Sequence, residues 1–286
     1  MSGDSRRNRM KKKRYAKGMM LLLSIGLMAF AITACGFLPE DEDKVTKDGM
    51  TLVWSDEFDY TGVPDTTKWK YQVGHGDNGW GNQELQEYTD NTSTADTASV
   101  ADGLLTIKAY YKDGKWKSAR MNSKTSWKYG YIETRVKITD KKGAWPAFWM
   151  MPTDSKYGAW PKSGEIDIME NAPAIGDHRV FSSLHAEGHG GEHPVSIGSK
   201  TYTENLSNEW HTIGLKWEEN KMTAIYDGEE MGSYQNDGTT ENWPYNQDFH
   251  IIMNLAIGGT LGGTSYASSL QGTGAEFQID YVRVYQ

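Results

Sequence analysis

Three stretches, residues 129–138, 211–217 and 277–285, set apolar against polar side chains with a period of two. That period belongs to strands with one buried face and not to a helix. In the first, Ile132, Thr134, Val136 and Ile138 oppose Tyr131, Glu133, Arg135 and Lys137; in the last, Phe277, Ile279 and Tyr281 oppose Gln278, Asp280 and Val282. Shorter apolar runs at 52–54, 104–108, 147–151, 180–185, 224–226 and 250–257 read as further strands, with Asp227-Gly228 as a hairpin turn. No helix of three turns is expected after residue 49. Many short strands divided by glycine, of which the chain has 31, fold as an all-β sandwich or a closed barrel.

Residues 50–286 are expected to be one such domain, and what precedes them reads differently. Arg6, Arg7, Arg9, Lys11, Lys12, Lys13, Arg14 and Lys17 lead into an apolar run, 19–34, that ends at Cys35. A basic segment before a short apolar one is an export signal, and the run is too short for a membrane span. Ile32-Thr33-Ala34-Cys35 resembles the bacterial lipobox, in which cleavage exposes a cysteine that becomes lipidated. Residues 1–34 are therefore expected to be a lipoprotein signal peptide and 35–49 an acidic tether. The domain would sit outside the cytoplasm, held to the cell membrane by a lipid on Cys35. With no second cysteine there is no disulfide framework and no thiolate metal site. The net charge of −8, with the basic residues gathered at the N-terminus, excludes nucleic acid as a partner. A monomer is expected.

The chemistry concentrates in Trp160-Pro-Lys-Ser-Gly-Glu-Ile-Asp-Ile-Met-Glu-Asn171. On a strand, Glu165, Asp167 and Met169 would share one face and Ile166 and Ile168 the other. Glu170 would then point into the core, where a carboxylate is costly. One extra residue, a β-bulge around Met169, would return it to the face of the other acids. The bulge also shortens a separation of roughly 13 Å along regular strand. Retaining glycosidases hold their two carboxyls about 5–5.5 Å apart. A bare E-x-D-x-x-E favours a solvated acidic strand or a cation site; the flanking Trp160, the alternating isoleucines and the surrounding chain reverse that in favour of catalysis.

The chain has eleven Trp and sixteen Tyr, more than a core of this size needs, so part of them should line a site. Trp145 and Trp149, just before the acids, suit sugar rings, whose C–H faces stack on aromatic planes. Asn82, Glu84, Arg120 and Asn254 are candidate polar partners for hydroxyls. Of the regularly spaced His185, His189 and His193, the glycine-rich surroundings leave only His185 as a candidate, because it ends a strand. Gly74-His-Gly-Asp-Asn-Gly79 matches a dinucleotide fingerprint by letter but has no following helix, and that reading is rejected. Residues 91–99 read as a polar loop.

These segments together resemble the family-sixteen glycoside hydrolases, in the laminarinase-like branch. Besides Trp160–Asn171, the likeness is carried by Val53-Trp-Ser-Asp-Glu-Phe58, Gly79-Trp-Gly-Asn-Gln-Glu-Leu-Gln-Glu-Tyr88, Ser118-Ala-Arg120 and Tyr129-Gly-Tyr131-Ile-Glu133. Trp145-Pro-Ala-Phe-Trp-Met150, Asn254-Leu-Ala-Ile-Gly-Gly259 and Asp280-Tyr-Val-Arg-Val-Tyr285 complete it in the family's order. The resemblance implies a β-jelly-roll of two curved antiparallel sheets with a sugar cleft on the concave face. It implies endo-acting, retaining hydrolysis of β-1,3-glucan, with Glu165 as nucleophile, Glu170 as acid/base and Asp167 as the helper between them.

No cofactor is then needed for catalysis, although family members often carry a structural Ca2+, for which the matching positions are Glu57, Gly103 and Asp280. Met169 separates the chain from the lichenase pattern but not from galactan-cleaving relatives. Cleavage of mixed-linkage glucan or a galactan, and a non-catalytic glucan-binding role, are the alternatives. Where many laminarinase-like members have Trp, this chain has Thr260-Leu-Gly-Gly263, so one cleft wall is expected to lack an aromatic platform.

Overall fold

The expected strands form and are joined by others the sequence did not announce. A computed structural model describes residues 46–92, 94–190 and 193–286. The segment read as a signal peptide, Cys35 and most of the tether lie outside the described residues. In chain order the strands are β1 (Thr46–Lys47), β2 (Met50–Asp56), β3 (Trp69–Tyr71), β4 (Gln86–Tyr88), β5 (Ala98–Ala101), β6 (Leu104–Lys112), β7 (Lys115–Ser118), β8 (Arg120–Trp127) and β9 (Gly130–Lys137). They continue with β10 (Ala144–Pro152), β11 (Glu165–Asn171), β12 (Arg179–His185), β13 (Val195–Thr201), β14 (His211–Trp217), β15 (Lys221–Tyr226), β16 (Glu229–Gln235), β17 (Phe249–Ile257) and β18 (Ala275–Tyr285).

These make two sheets. One runs β13-β12-β11-β10-β17-β8-β3; the other runs β16-β15-β14-β9-β18-β6-β7-β4, with β1, β2 and β5 attached beside it. Every strand pair is antiparallel except β4 with β7. The core combines Phe148, Ile166, Ile168, Leu184, Met253 and Leu255 from the first sheet with Leu105, Ile107, Ile132, Leu215, Phe277 and Val284 from the second, all fully buried. Burial of each such side chain contributes about 1.5–3 kcal/mol.

Local chemistry explains the hairpins. Asp102-Gly103, Asp113-Gly114 and Asp227-Gly228 each place both residues at positive φ, the backbone of a type I′ turn whose twist matches the flanking strands. Only the last was legible as a turn. Two further departures have clear causes. In β18 the strict alternation fails because the register with β9 shifts between Ile279 and Tyr281. A bulge at Asp280 keeps Val282 and Val284 in the core and turns the Tyr281 hydroxyl out to donate to the Glu133 carboxylate at 2.9 Å. At the other end, residues 46–49 of the expected tether already belong to the fold. Lys47 pairs with the buried Glu133 and lies 4.3 Å from the centre of the Tyr131 ring.

Among the described residues no helix reaches three turns. Gly259–Gly262 is one α-turn, which runs into a 3-10 turn at Thr264–Leu270. The fingerprint-like glycines lead into an irregular coil at Gly79–Gln83, where Trp80 and Gly81 have positive φ. That coil offers no phosphate-binding helix terminus.

Candidate active site

β11 lies in the interior of the seven-stranded sheet, hydrogen-bonded to β10 on one side and β12 on the other. Against β10, Asp167 pairs with Trp149 and Glu170 with Ala147, so three steps on β11 meet two on β10. Against β12, Glu165 pairs with His185, Asp167 with Ser183 and Glu170 with Phe181, again three steps against two. The expected bulge is present at Ile168 and Met169, and it returns Glu170 to the side of Asp167. It also moves Met169: strict alternation would set it among the acids, whereas it is fully buried in the core beside Ile168.

Each acid has its own partners. Trp160 Nε1 donates to Glu165 Oε2 at 2.5 Å and Trp145 Nε1 donates to Glu170 Oε1 at 2.8 Å. Ser183 Oγ donates to Asp167 Oδ2 at 2.9 Å, and His185 Nε2 lies 3.1 Å from the same oxygen. The two outer carboxyls thus receive neutral N–H donors, and the middle one receives a hydroxyl and an imidazole. Tyr245 fixes the end of β12 by donating its hydroxyl to the His185 carbonyl at 2.9 Å.

Burial first, and then the charge of Asp167, push the Glu165 carboxyl up to about 8. The same causes in the same order hold the Glu170 carboxyl well above the usual range. Both are eased by His185 and by an indole N–H, but only Glu165 is also drawn down by the charge of Arg120. When the group gives up a proton, Glu165 is therefore the side where the negative charge is better supported. Burial works against a charged His185, yet its hydrogen bond to Asp167 and the charges of all three acids override that and raise it to about 9. An imidazolium at neutral pH then faces the acid cluster with one compensating positive charge. Glu165, Asp167 and His185 offer ligand atoms within 4.8 Å of one another, the feature behind the cation-site reading of this cluster.

Beside the acids stands a second network. Arg120 is sandwiched between the rings of Trp80 and Trp149, 4.5 and 4.7 Å from their centres. Trp149 Nε1 donates to Asn254 Oδ1 at 2.7 Å, Asn254 Nδ2 donates to Tyr88 OH at 3.0 Å, and Tyr88 OH donates to Glu84 Oε2 at 3.3 Å. Gln86 Nε2 and Asn82 Nδ2 complete the shell of Glu84 at 2.5 and 3.2 Å. Burial raises the Glu84 carboxyl against these hydrogen bonds. Glu84 and Asn254, read as partners for sugar hydroxyls, are thus buried and spend their polar atoms on protein. They set the position of Trp149 and Arg120. Tyr88, Gln86, Trp80 and Ser183 were not singled out in the sequence, although the first three lie in the resembling segment Gly79–Tyr88 and Gln86 and Tyr88 share one strand face with Glu84.

The remaining expectations fall away from the acids. His189 is buried with its ring nitrogens 3.0 Å from the carbonyls of Leu184 and Asn242, a structural role. The polar loop holds more than polarity: Asn91 is fully buried, and its side chain accepts from the Thr97 and Ala98 amides and donates to Thr89 and Thr97. The positions matched to calcium stand near where β18 passes from β6, with Ile279 paired to Leu105, to β2, with Val282 paired to Asp56. Glu57 gives both carboxylate oxygens to Arg283, and Asp280 Oδ2 accepts from Arg135.

Two carboxyls with distinct surroundings on one side of a strand, a third acid between them and indoles alongside can protonate one side of a glycosidic bond and attack the other. Comparison with known proteins points the same way. The family description "Beta-porphyranase A-D, GH16 domain" matches residues 51–286. A β-glucanase of Rhodothermus marinus is 35% identical over 291 residues, covering 97% of this chain and 97% of its own. A glucan endo-1,3-β-glucosidase of Cryptopygus antarcticus is 36% identical over 257 residues, covering 81% and 90%. The solved structure of the laminarinase from Rhodothermus marinus superposes with a TM-score of 0.76 at 36% identity, covering 82% of this chain and 96% of that one. With its acids on a bulged inner strand of a two-sheet jelly roll, the chain belongs to glycoside hydrolase family 16.

Proposed function

We propose that this protein is a retaining endo-β-1,3-glucanase in which Glu165, Asp167 and Glu170 carry the reaction. The observation that carries the reading is the bulge, which puts Glu165 and Glu170 on one side of β11 with a separate indole donor for each. Ionised Glu165 attacks the anomeric carbon while Glu170 gives its proton to the departing glycosidic oxygen, leaving a glycosyl ester on Glu165. Esterification removes the Glu165 charge, so Glu170, now ionised, is less crowded and takes a proton from the incoming water. That water attacks the anomeric carbon and frees Glu165. Asp167, held by Ser183 and His185, faces the positive charge that develops on the sugar ring.

The relatives named above are a β-glucanase, a glucan endo-1,3-β-glucosidase and a laminarinase, whereas the matching family description is that of a porphyranase, a galactan hydrolase. A polysaccharide panel separates the two. Reducing sugar is expected fastest from laminarin, slower from mixed-linkage β-1,3-1,4-glucan, and not from agarose or porphyran. Faster release from a galactan would replace the substrate, and no release from any of them would favour a binding protein.

The same proposal places the domain outside the cytoplasm on a lipid carried by Cys35, supported by the basic segment, the apolar run and the lipobox-like residues before it. Cys35→Ala is expected to move the protein from the membrane fraction to the soluble exported one; unchanged membrane association would remove the anchor.

A further inference from the structure

An extra residue in one strand leaves part of the ladder beside it unpaired. On β12 the residue opposite the bulge is Ser182, which lies between Ser183, the partner of Asp167, and Phe181, the partner of Glu170. Ser182 is buried, and its Oγ donates to the Ile168 carbonyl at 2.6 Å. The same oxygen is 2.5 Å from Tyr226 OH. With the Ser182 hydrogen committed to Ile168, the hydrogen between the two hydroxyls is Tyr226's. Tyr226 is fully buried and comes from β15 in the other sheet, and its hydroxyl also lies 3.3 Å from the Gly198 carbonyl of β13. Glycines let the sheets approach closely enough for this contact. A Cβ at Gly198 would lie 2.8 Å from Met231 Cβ and 3.0 Å from Ala224 Cβ, and one at Gly232 would lie 2.6 Å from the Ile197 carbonyl oxygen. Ala224 belongs to β15, Met231 and Gly232 to β16, and Ile197 and Gly198 to β13.

A relay of two hydroxyls thus runs from the second sheet through the core to the back of the bulge. It ends on Ile168, one residue past Asp167 and two before Glu170, and that is where a straightening of β11 would begin. Removing either hydroxyl leaves a buried oxygen without its partner, beside the part of the strand with the fewest ladder bonds. We infer that Ser182 and Tyr226 are positioning residues that hold the bulge at Ile168–Met169 and so fix the direction of Glu170 for the reaction. The inference rests on the glucanase reading. Glu165 stands before the bulge, in register with His185 and bonded to Trp160, so a loosened bulge turns Glu170 more than Glu165. The steps that suffer are the proton transfers to the leaving oxygen and from water. Sugar binding does not, because neither side chain is open to solvent. Loss of an interaction that acts only in the transition state lowers kcat and leaves KM.

The test compares Ser182→Ala, Tyr226→Phe and the double variant with wild type, at a temperature where circular dichroism shows all four folded. On laminarin each single variant is expected to lower kcat about 5–50-fold, the effect of a misplaced catalytic group, with KM within about twofold. On an aryl β-laminaribioside with an acidic phenol, whose departure needs little protonation, the first burst of phenol should stay within about threefold of the wild-type rate. The double variant should be no slower than the poorer single one, because both hydroxyls act through one chain of bonds. Laminarin kcat within about twofold of wild type in both single variants, equal losses with the two leaving groups, or additive losses would reduce the pair to core packing and overturn the relay with the hydrolase reading intact. If neither variant folds, hydrogen exchange in the wild-type protein decides. The Met169 and Glu170 amides are expected to exchange as slowly as that of Ile166, and exchange more than about tenfold faster would mean that nothing holds the bulge. A wild-type protein that leaves laminarin untouched would instead overturn the reading beneath it.

Discussion

Glu165→Gln and Glu170→Gln will each lower laminarin turnover by about 10^3-fold or more, and they will fail differently. The amide at 165 cannot form a glycosyl ester, so no step proceeds whatever the leaving group. The amide at 170 cannot protonate the departing oxygen, but an aryl β-glucoside with an acidic phenol needs little protonation. Glu170→Gln should therefore release an initial burst of such a phenol and then stall, because no base remains to activate water. Steady-state reducing-sugar release and a rapid-mixing burst measurement separate the cases. Turnover within tenfold of wild type in either variant would refute the assignment. Both amides keep an oxygen for the donors, Trp160 Nε1 and Trp145 Nε1, so loss of fold is not expected to confuse the result.

The same substitutions should make the protein more stable at neutral and alkaline pH. A carboxyl whose pKa rises on folding stabilises the fold below its unfolded value, near 4.5, and that contribution is lost as the pH climbs through the folded value. For Glu165 the window runs from about 4.5 to about 8. His185, raised to about 9, adds stability below about 6.5 that disappears as the pH passes 9, so the two act in the same direction. Wild-type melting temperature should fall steadily from pH 5 to pH 9. Glu165→Gln removes the carboxyl's share and should melt higher than wild type at pH 8 by several degrees, on the order of 1–3 kcal/mol for a domain of this size. Calorimetry at pH 5 and pH 8 decides it: a variant no more stable than wild type at pH 8 would mean the carboxyl is not under strain. Such strain is what an active site pays for holding like charges together.

The three acids and the bulge were readable because they violate a local rule. Glu170 stands where alternation demands an apolar residue, and only an extra residue repairs that. The isoleucines at 166 and 168, the Asp227-Gly228 turn and the run at 250–257 were readable because each obeys one. What stayed hidden depends on neighbours distant in sequence. Tyr88 matters through Asn254 and Glu84, and Ser183 through Asp167 across a register that no local pattern encodes. Asn91 looks like any loop asparagine until its side chain is seen closing the turn into β5. The change of face in β18 at Asp280 was likewise invisible, because a polar residue at a bulge and one on an outer face read alike. Glu84 misled in the opposite sense: a carboxylate near a cleft suggests a ligand contact, but burial among Gln86, Asn82 and Tyr88 makes it a brace for the wall.

The irregularity at Ile168–Met169 is not confined to one strand. A second register shift appears between Ser182 and Ser183, which face Gly198 and Ser196 of β13 with Ile197 as the extra residue. One extra residue on β11 and one on β13 thus flank β12, while β10 keeps an unbroken register with β17. The distance between the two reacting carboxyls is therefore set across β11, β12 and β13 together, and it would not survive grafting of β11 alone into another sandwich. A lineage could retune the gap between its acids from the rim of the sheet, without altering any residue that meets the sugar.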